Sequence, residues 1–325
     1  VTSNSISEIS KPIQSELASF ESIFREAMKS KVGLVDLIAR YIIRQKGKKI
    51  RPLLVLLSSK IFGQINERSY RGAVLVELLH SATLIHDDVV DNSDKRRNFW
   101  SINYIFKNKI AVLMGDYLLS RGLFIAVEGK DFDFLGVITD AVKRMSEGEL
   151  LQIQKTRKLD IDEETYFKVI SDKTSSLLET CCQIGAMSTS SLSSDHEAMK
   201  NYGHNLGLAF QIRDDILDYD GKFSLIGKPI GGDIKEKKIT LPLIFALNQV
   251  SQSEASKVKS LLKKPGKDGV RKIIDFVHRN GGIEYSVSVA KKYSQLAKDS
   301  LANFPDSECK SSLESLVDFV VERKN

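Results

Sequence analysis

Residues 80–91 read HSATLIHDDVVD, a helical run whose last turn carries Asp87, Asp88 and Asp91. At 3.6 residues per turn the first and last of these carboxylates lie one above the other on a single face. Like charges at that spacing destabilise a helix, and the apolar Leu84 and Ile85 beside them make the repulsion worse. The pattern returns about 130 residues later as Asp214-Asp215-Ile216-Leu217-Asp218, again after an apolar pair, Ala209 and Phe210. One such stretch is ordinarily a solvated helix end. Two, each with aliphatic residues between its acids, read as oxygen clamps that need a cation. With no Cys or paired His nearby, the donor set suits Mg²⁺, which binds through a few carboxylates together with substrate phosphates. Neither stretch has the residue order of an EF-hand.

Outward from these motifs the helical period persists, for example at Leu34, Leu37, Ile38, Tyr41 and Ile42, and at Leu53, Leu54, Leu57 and Ile61. Alternating strand patterns bounded by hairpin turns are missing, which predicts an all-α fold: a single large helical bundle, one domain over residues 1–325. Breaks are expected at Lys46-Gly47, Phe62-Gly63, 92–98, Glu128-Gly129, 159–162, 188–195 and 220–233, giving roughly ten or more helices. Pro52 is expected at the first position of its helix. Each acidic motif then falls near the C-terminal end of a helix, where the partial negative dipole also favours a bound cation.

The 325 residues, 42% hydrophobic, suffice for a substantial core, and six Pro with no Gly/Ser-rich linker argue against separable modules. The net charge of +6 fits anionic small substrates. Nucleic acid is disfavoured, because no basic stripe with interleaved aromatics occurs and there is one Trp. Three Cys, two of them adjacent at Cys181 and Cys182, form neither a disulfide framework nor a zinc site. No signal-peptide pattern and no unbroken run of 18 apolar residues is present, so the expectation is a cytoplasmic protein without a transmembrane segment. An apolar product would then be handed to a membrane.

Phosphate needs cations of its own. Lys48, Lys49 and Arg51 flank a Gly-marked turn before a helix, where cations and a helix N-terminus together make an anion seat. Arg96 and Arg97 follow Asp91 closely enough to fold back over a phosphate, and their forks match its oxygens. His80 lies about two turns before Asp87 on the same face. Lys173-Thr174, Lys228 and Lys238 complete the set, and the Lys-rich 222–238 stretch reads as a lid over a polyanion.

Together these residues resemble the trans-type polyprenyl diphosphate synthases, the isoprenyl chain-elongating family. Gly47 to Pro52 is similar to that family's GKxxRP segment, and residues 80–97 to its first aspartate-rich motif with an Arg pair. Gly115-Asp116-Tyr117, Lys173-Thr174, Gln211 to Asp218, Gly227-Lys228 and Lys238 to Pro242 are similar to further family elements. One departure is Asn98-Phe99-Trp100, where the family commonly has Gly and a short turn of small residues.

The resemblance implies a bundle of about ten to thirteen helices around a deep apolar cavity, usually a homodimer. It implies head-to-tail condensation of isopentenyl diphosphate with an allylic diphosphate, using about three Mg²⁺ per active site. Asp87, Asp91 and Asp214 are the implied metal ligands, with Asp88, Asp215 and Asp218 orienting ligands behind them. Arg96, Lys173, Lys238 and Lys228 would carry the leaving diphosphate. Lys48, Arg51, His80 and Arg97 would seat isopentenyl diphosphate. Thr174 and Gln211 oxygens would face the allylic cation. Chain length is read beneath Asp87 at Thr83, Ala82 and Leu79; short-product members carry an aromatic near these positions, whereas Thr83 and Ala82 are small, which implies about six to eight isoprene units, unless a facing residue such as Met145 forms the floor. The alternatives are a short-chain (geranyl, farnesyl or geranylgeranyl) synthase or a class I terpene cyclase. A cyclase would have an NSE-type second motif and no seat at Lys48 and Arg51. A non-catalytic subunit would have lost aspartates, and all six are present.

Overall fold

In a computed structural model, the structure describes residues 5–45, 47, 49–96, 99–220 and 231–322, except for the side chains of Arg96 and Lys267. The first half runs through α1 (Ile6–Ile9), α2 (Gln14–Ala27), α3 (Gly33–Arg44), α4 (Ile50–Phe62), α5 (Glu67–Val90), α6 (Ile102–Glu128) and α7 (Phe132–Lys158). The second comprises α8 (Glu163–Ile170), α9 (Ser176–Thr189), α10 (Ser193–Tyr219), α11 (Gly232–Lys235), α12 (Leu241–Asn248), α13 (Gln252–Lys263), α14 (Lys267–Arg279), α15 (Gly282–Asp299) and α16 (Glu308–Glu322). The fold is all-α. Strand structure among the described residues is limited to one hairpin, β1 (Lys95–Arg96) and β2 (Phe99–Trp100), in the stretch where only a polar loop was expected.

Helix ends follow local chemistry. Asn66 caps α5, its side chain accepting from the Ser69 amide at 3.1 Å, and Asp162 caps α8 through the Thr165 amide at 2.8 Å. Among the described residues the breaks at Gly63, Gly129, 159–162 and 190–192 fall where expected, those expected at 46–47, 92–98 and 220–233 lie partly outside the described residues, and one start is shifted: α4 begins at Ile50, so Pro52 is its third residue and not its first. Lys49 takes the left-handed conformation (φ 45°) and opens the helix early; Pro52 is tolerated there because first-turn amides have no intrahelical acceptor.

Two buried apolar clusters fill the molecule. The larger gathers α2, α4, α5, α6, α9 and α16; the smaller gathers α8, α12, α13 and α14. Helix α10 belongs to both, through Met199, Tyr202 and Leu206 toward one and Ile212, Ile216 and Tyr219 toward the other. That central place packs the helix that carries the second acidic motif against both clusters. Helix α6 packs along α5 and is long and apolar enough to cross a membrane, with a mean hydropathy of 1.7 over its most apolar window.

Between α8 and α9 the chain makes a π-helical turn, Ser171–Ser175, which carries Lys173 and Thr174. Such turns offset the helix register and occur often at functional sites. Gly207 of α10 admits it closely, since a Cβ there would lie 2.6 Å from the Ser175 Cα. The turn is also pinned by charge. Arg144 of α7 donates to Asp172 at 3.0 Å, to Ser171 at 3.2 Å and, through both terminal nitrogens, to Glu179 at 2.7 and 3.2 Å. Glu179 also meets His204 Nδ1 at 2.7 Å. Burial works to raise the Glu179 pKa, but His204 and Arg144 outweigh it and hold the carboxylate below its usual range.

Candidate active site

The first motif ends α5: Asp87 is half-buried, Asp88 is buried, and Asp91 is the exposed C-cap. The second lies in the last turns of α10, with Asp214 half-buried and Asp215 3% exposed. Lys238 relates the two. Burial acts to lower its pKa, yet Glu236 at 2.5 Å and the fields of Asp233 and Asp91 hold it above the usual lysine value. Carboxylates of the first motif and of the chain after the second therefore act on one ammonium. Among the described residues no three His, Cys, Asp or Glu side chains converge into a complete metal cage. A set of scattered carboxylates without Cys or His fits a hard cation that takes its remaining ligands from diphosphate and water.

Asp218 shapes the backbone beside the second motif. Its two oxygens accept the amides of Gly232 (2.9 Å) and Asp233 (3.0 Å), capping α11 and tying the chain after the second motif back onto it. Asp233 itself was missed in the sequence, where the 222–238 stretch was read only for its lysines. It lines the site and raises Asp215: burial pushes that carboxyl up most, Asp233 and Asp214 add to this, and hydrogen bonds from Tyr166 and Gln211 pull the other way.

Two cavities adjoin here. The smaller, about 100 Å³, is lined by Gln152, Lys173, Gln211, Asp215, Asp233 and Lys238, among others. The larger, about 470 Å³, is lined by Lys49, Arg51 and His80 and by the apolar side chains of Phe24, Leu84, Leu178, Leu206, Phe210 and Phe319. Thr174 is the one described residue that lines both. Its hydroxyl donates to Gln211 Oε1 at 2.9 Å, so the threonine oxygen turns lone pairs outward. Lys173 is held by Glu149 and by Gln152 at 2.7 Å, both on α7. Two acids in the larger cavity, Glu77 and Glu21, also escaped the sequence reading; Glu21 pairs with Lys49 at 2.6 Å. Lys48, Arg97 and Lys228 lie outside the described residues, as does the Arg96 side chain. Leu79 and Ala82 are buried in the larger core cluster and Thr83 is half-buried; none of the three lines either cavity.

Gly115-Asp116 also acquires a physical reason. The His86 imidazole lies over Gly115, where a Cβ would be 2.2 Å from Nε2, and that nitrogen is 3.3 Å from the Val112 carbonyl and 3.4 Å from Asp116. His86 directly precedes Asp87. Gly115→Ala is therefore expected to displace the ring and the motif beside it, lowering kcat about tenfold or more. Overpacking should cost about 1–3 kcal/mol. Steady-state kinetics with a thermal melt check this; wild-type values for both would refute the packing argument.

A helical bundle with acidic helix ends over a cation-lined cavity and an apolar chamber suits an enzyme that acts on diphosphates carrying apolar chains. The polyprenyl synthetase family model matches residues 33–277, and the chain belongs to that family; it is a prenyl diphosphate synthase, a transferase. It is 32% identical over 320 residues to the octaprenyl diphosphate synthase of Haemophilus influenzae, covering 98% of this chain and 97% of that one. It is 33% identical over 291 residues to a short chain isoprenyl diphosphate synthase of Methanothermobacter thermautotrophicus, covering 88% and 90%. The crystal structure of a Caulobacter crescentus polyprenyl synthase complexed with calcium and isoprenyl diphosphate superposes with a TM-score of 0.91 at 31% identity, covering all of both chains.

Proposed function

We propose that this chain condenses isopentenyl diphosphate head-to-tail with an allylic diphosphate in a Mg²⁺-dependent reaction, building a medium- to long-chain all-trans polyprenyl diphosphate. The observation that carries the reading is the junction at Thr174, where a cation- and acid-lined cavity meets one lined by Lys49, Arg51 and His80 together with apolar Leu178, Leu206, Phe210 and Phe319. Two diphosphate substrates can meet there with their reacting carbons in register, and such positioning is a large part of the rate.

Magnesium would be held by Asp87 and Asp91 from α5 and Asp214 from α10, and when bound it supplies Lewis acidity to the leaving diphosphate. Lys173 and Lys238 share the charge of that diphosphate, with Arg96 and Lys228 assisting. Asp88 and Asp215 orient the ligand carboxylates beside them. Arg51 and His80, with Lys48 and Arg97, seat isopentenyl diphosphate by charge alone. Thr174 and Gln211 present oxygen lone pairs to the developing allylic cation, while Leu178, Leu206 and Phe210 exclude the water that would trap it. The released diphosphate takes the final proton, so no side-chain base is needed.

Long products are supported by the octaprenyl relative. The short-chain relative of similar identity supports a second reading, a short-chain synthase. Mass analysis of products made from isopentenyl diphosphate and geranyl, farnesyl or geranylgeranyl diphosphate separates them. Products of about 30 carbons or more are expected, and termination at 20 or fewer favours the second reading. Ala82→Phe is expected to shorten the product by at least one five-carbon unit; an unchanged length would move the floor to a facing helix, at Met145. Allylic diphosphate alone should not be consumed quickly, as a cyclase would require. A homodimer is supported by the exposed apolar side chains of α6, Ile105, Val112, Leu113, Phe124 and Val127, a surface that partners typically cover.

A further inference from the structure

Tyr166 belongs to none of the motifs above, yet it ends a chain of hydrogen bonds that begins at the cavity junction. Thr174 donates to Gln211 Oε1 at 2.9 Å; Gln211 Nε2 donates to Asp215 Oδ1 at 2.8 Å; Tyr166 donates to Asp215 Oδ2 at 2.6 Å. Three segments, α8, the π-helical turn and α10, are thereby joined by four side chains in one line. The donor directions are mutually consistent. A carboxylate that accepts on one oxygen from a phenol and on the other from an amide has no reason to rotate. The Gln211 amide nitrogen is committed to Asp215, so its carbonyl oxygen is the end turned to Thr174.

We propose that Tyr166 is a positioning residue for prenyl transfer: its hydroxyl locks Asp215 so that Gln211 keeps its carbonyl oxygen, and not its NH₂, toward the reacting cation. Without the lock, Asp215 can turn to find another donor and Gln211 loses its anchor. A flipped amide would present partial positive charge where positive charge develops, the reverse of what a transition state of this kind requires. The lock is well built. Tyr166 is 2% exposed, and its ring is held edge-on by Phe167 at 5.4 Å. Burial and the nearby Asp215 charge push its pKa well above the usual phenol value, so the hydroxyl stays a donor.

This inference rests on the proposed prenyl-transfer reading, and the test separates the two. If the wild-type chain does not condense the two diphosphates, the reading fails whatever Tyr166 does. If it does, Tyr166→Phe keeps the ring packing and removes only the lock. The expected result is a kcat lowered roughly tenfold to a hundredfold, an unchanged KM for isopentenyl diphosphate, whose seat lies on α4 and α5, and a melting temperature close to wild type. A residue that merely supports the fold would lower the melting temperature and leave kcat per folded molecule intact. Adding Gln211→Ala to Tyr166→Phe should cost no more than Gln211→Ala alone, because Tyr166 acts through Gln211. A wild-type kcat in Tyr166→Phe, a raised KM for isopentenyl diphosphate as its main effect, or fully additive losses in the double variant would each overturn the assignment.

Discussion

Asp87→Ala and Asp214→Ala are each expected to lower turnover by about a thousandfold or more while helix content stays unchanged. The size follows from what the carboxylates do. On the proposed reading each supplies a hard oxygen to Mg²⁺ at a helix end, so removing one would leave developing negative charge on the leaving group unbalanced. Stability should not fall with activity. Asp87 lies in the last turn of a helix anchored by Leu75, Leu78, Leu79 and Ala82 in the core, and losing one of two like charges a turn apart relieves repulsion. The melting temperature should hold steady or rise slightly. Kinetics and circular dichroism on the same preparations check both halves, and near-normal turnover in either variant would remove the acidic helix ends from the mechanism.

The largest expected effect on folding is at Arg144. Its side chain is 24% exposed and its carboxylate partners Asp172 and Glu179 are 10% and 5% exposed. Arg144→Met keeps much of the side-chain volume and strands two largely buried acids around the π-helical turn, with Lys168 left on Asp172 and His204 on Glu179. Breaking a buried pair from one side costs about 3–5 kcal/mol, because the remaining charges are desolvated and Lys168 and His204 compensate them only in part. For a chain of this size that corresponds to roughly 6 °C in melting temperature. The turn carries Lys173 and Thr174, so activity should fall as well. A second substitution, Glu179→Gln, should return part of the lost stability by removing one stranded charge. A melting temperature unchanged by Arg144→Met would show that the network is incidental.

Much of this was legible because helix punctuation is local chemistry. Gly63 and Gly129 end α4 and α6 where they should, and the polar stretch after Asp91 ends α5. The acidic motifs could be placed at helix ends for the same reason. What was hidden depends on backbone register or on partners distant in sequence. The π-helical turn has no compositional mark, and the left-handed Lys49 that advances the start of α4 looks like any lysine. Arg144 follows Lys143 and reads as surface charge, because its partners are 28 and 35 residues away. Asp218 also caps α11, a helix of four residues that no periodicity could announce. Nothing in the sequence marks Tyr166, because its hydroxyl meets Asp215, 49 residues on.

The most direct test is incorporation of labelled isopentenyl diphosphate into extractable prenyl product by the wild-type chain, with an allylic diphosphate and Mg²⁺, then with chelator, then with Mg²⁺ restored. The account predicts product in the first and third conditions and none in the second, with no product at any stage when the allylic partner is omitted. Condensation that proceeds undiminished in chelator, or no condensation with any allylic primer, would contradict it.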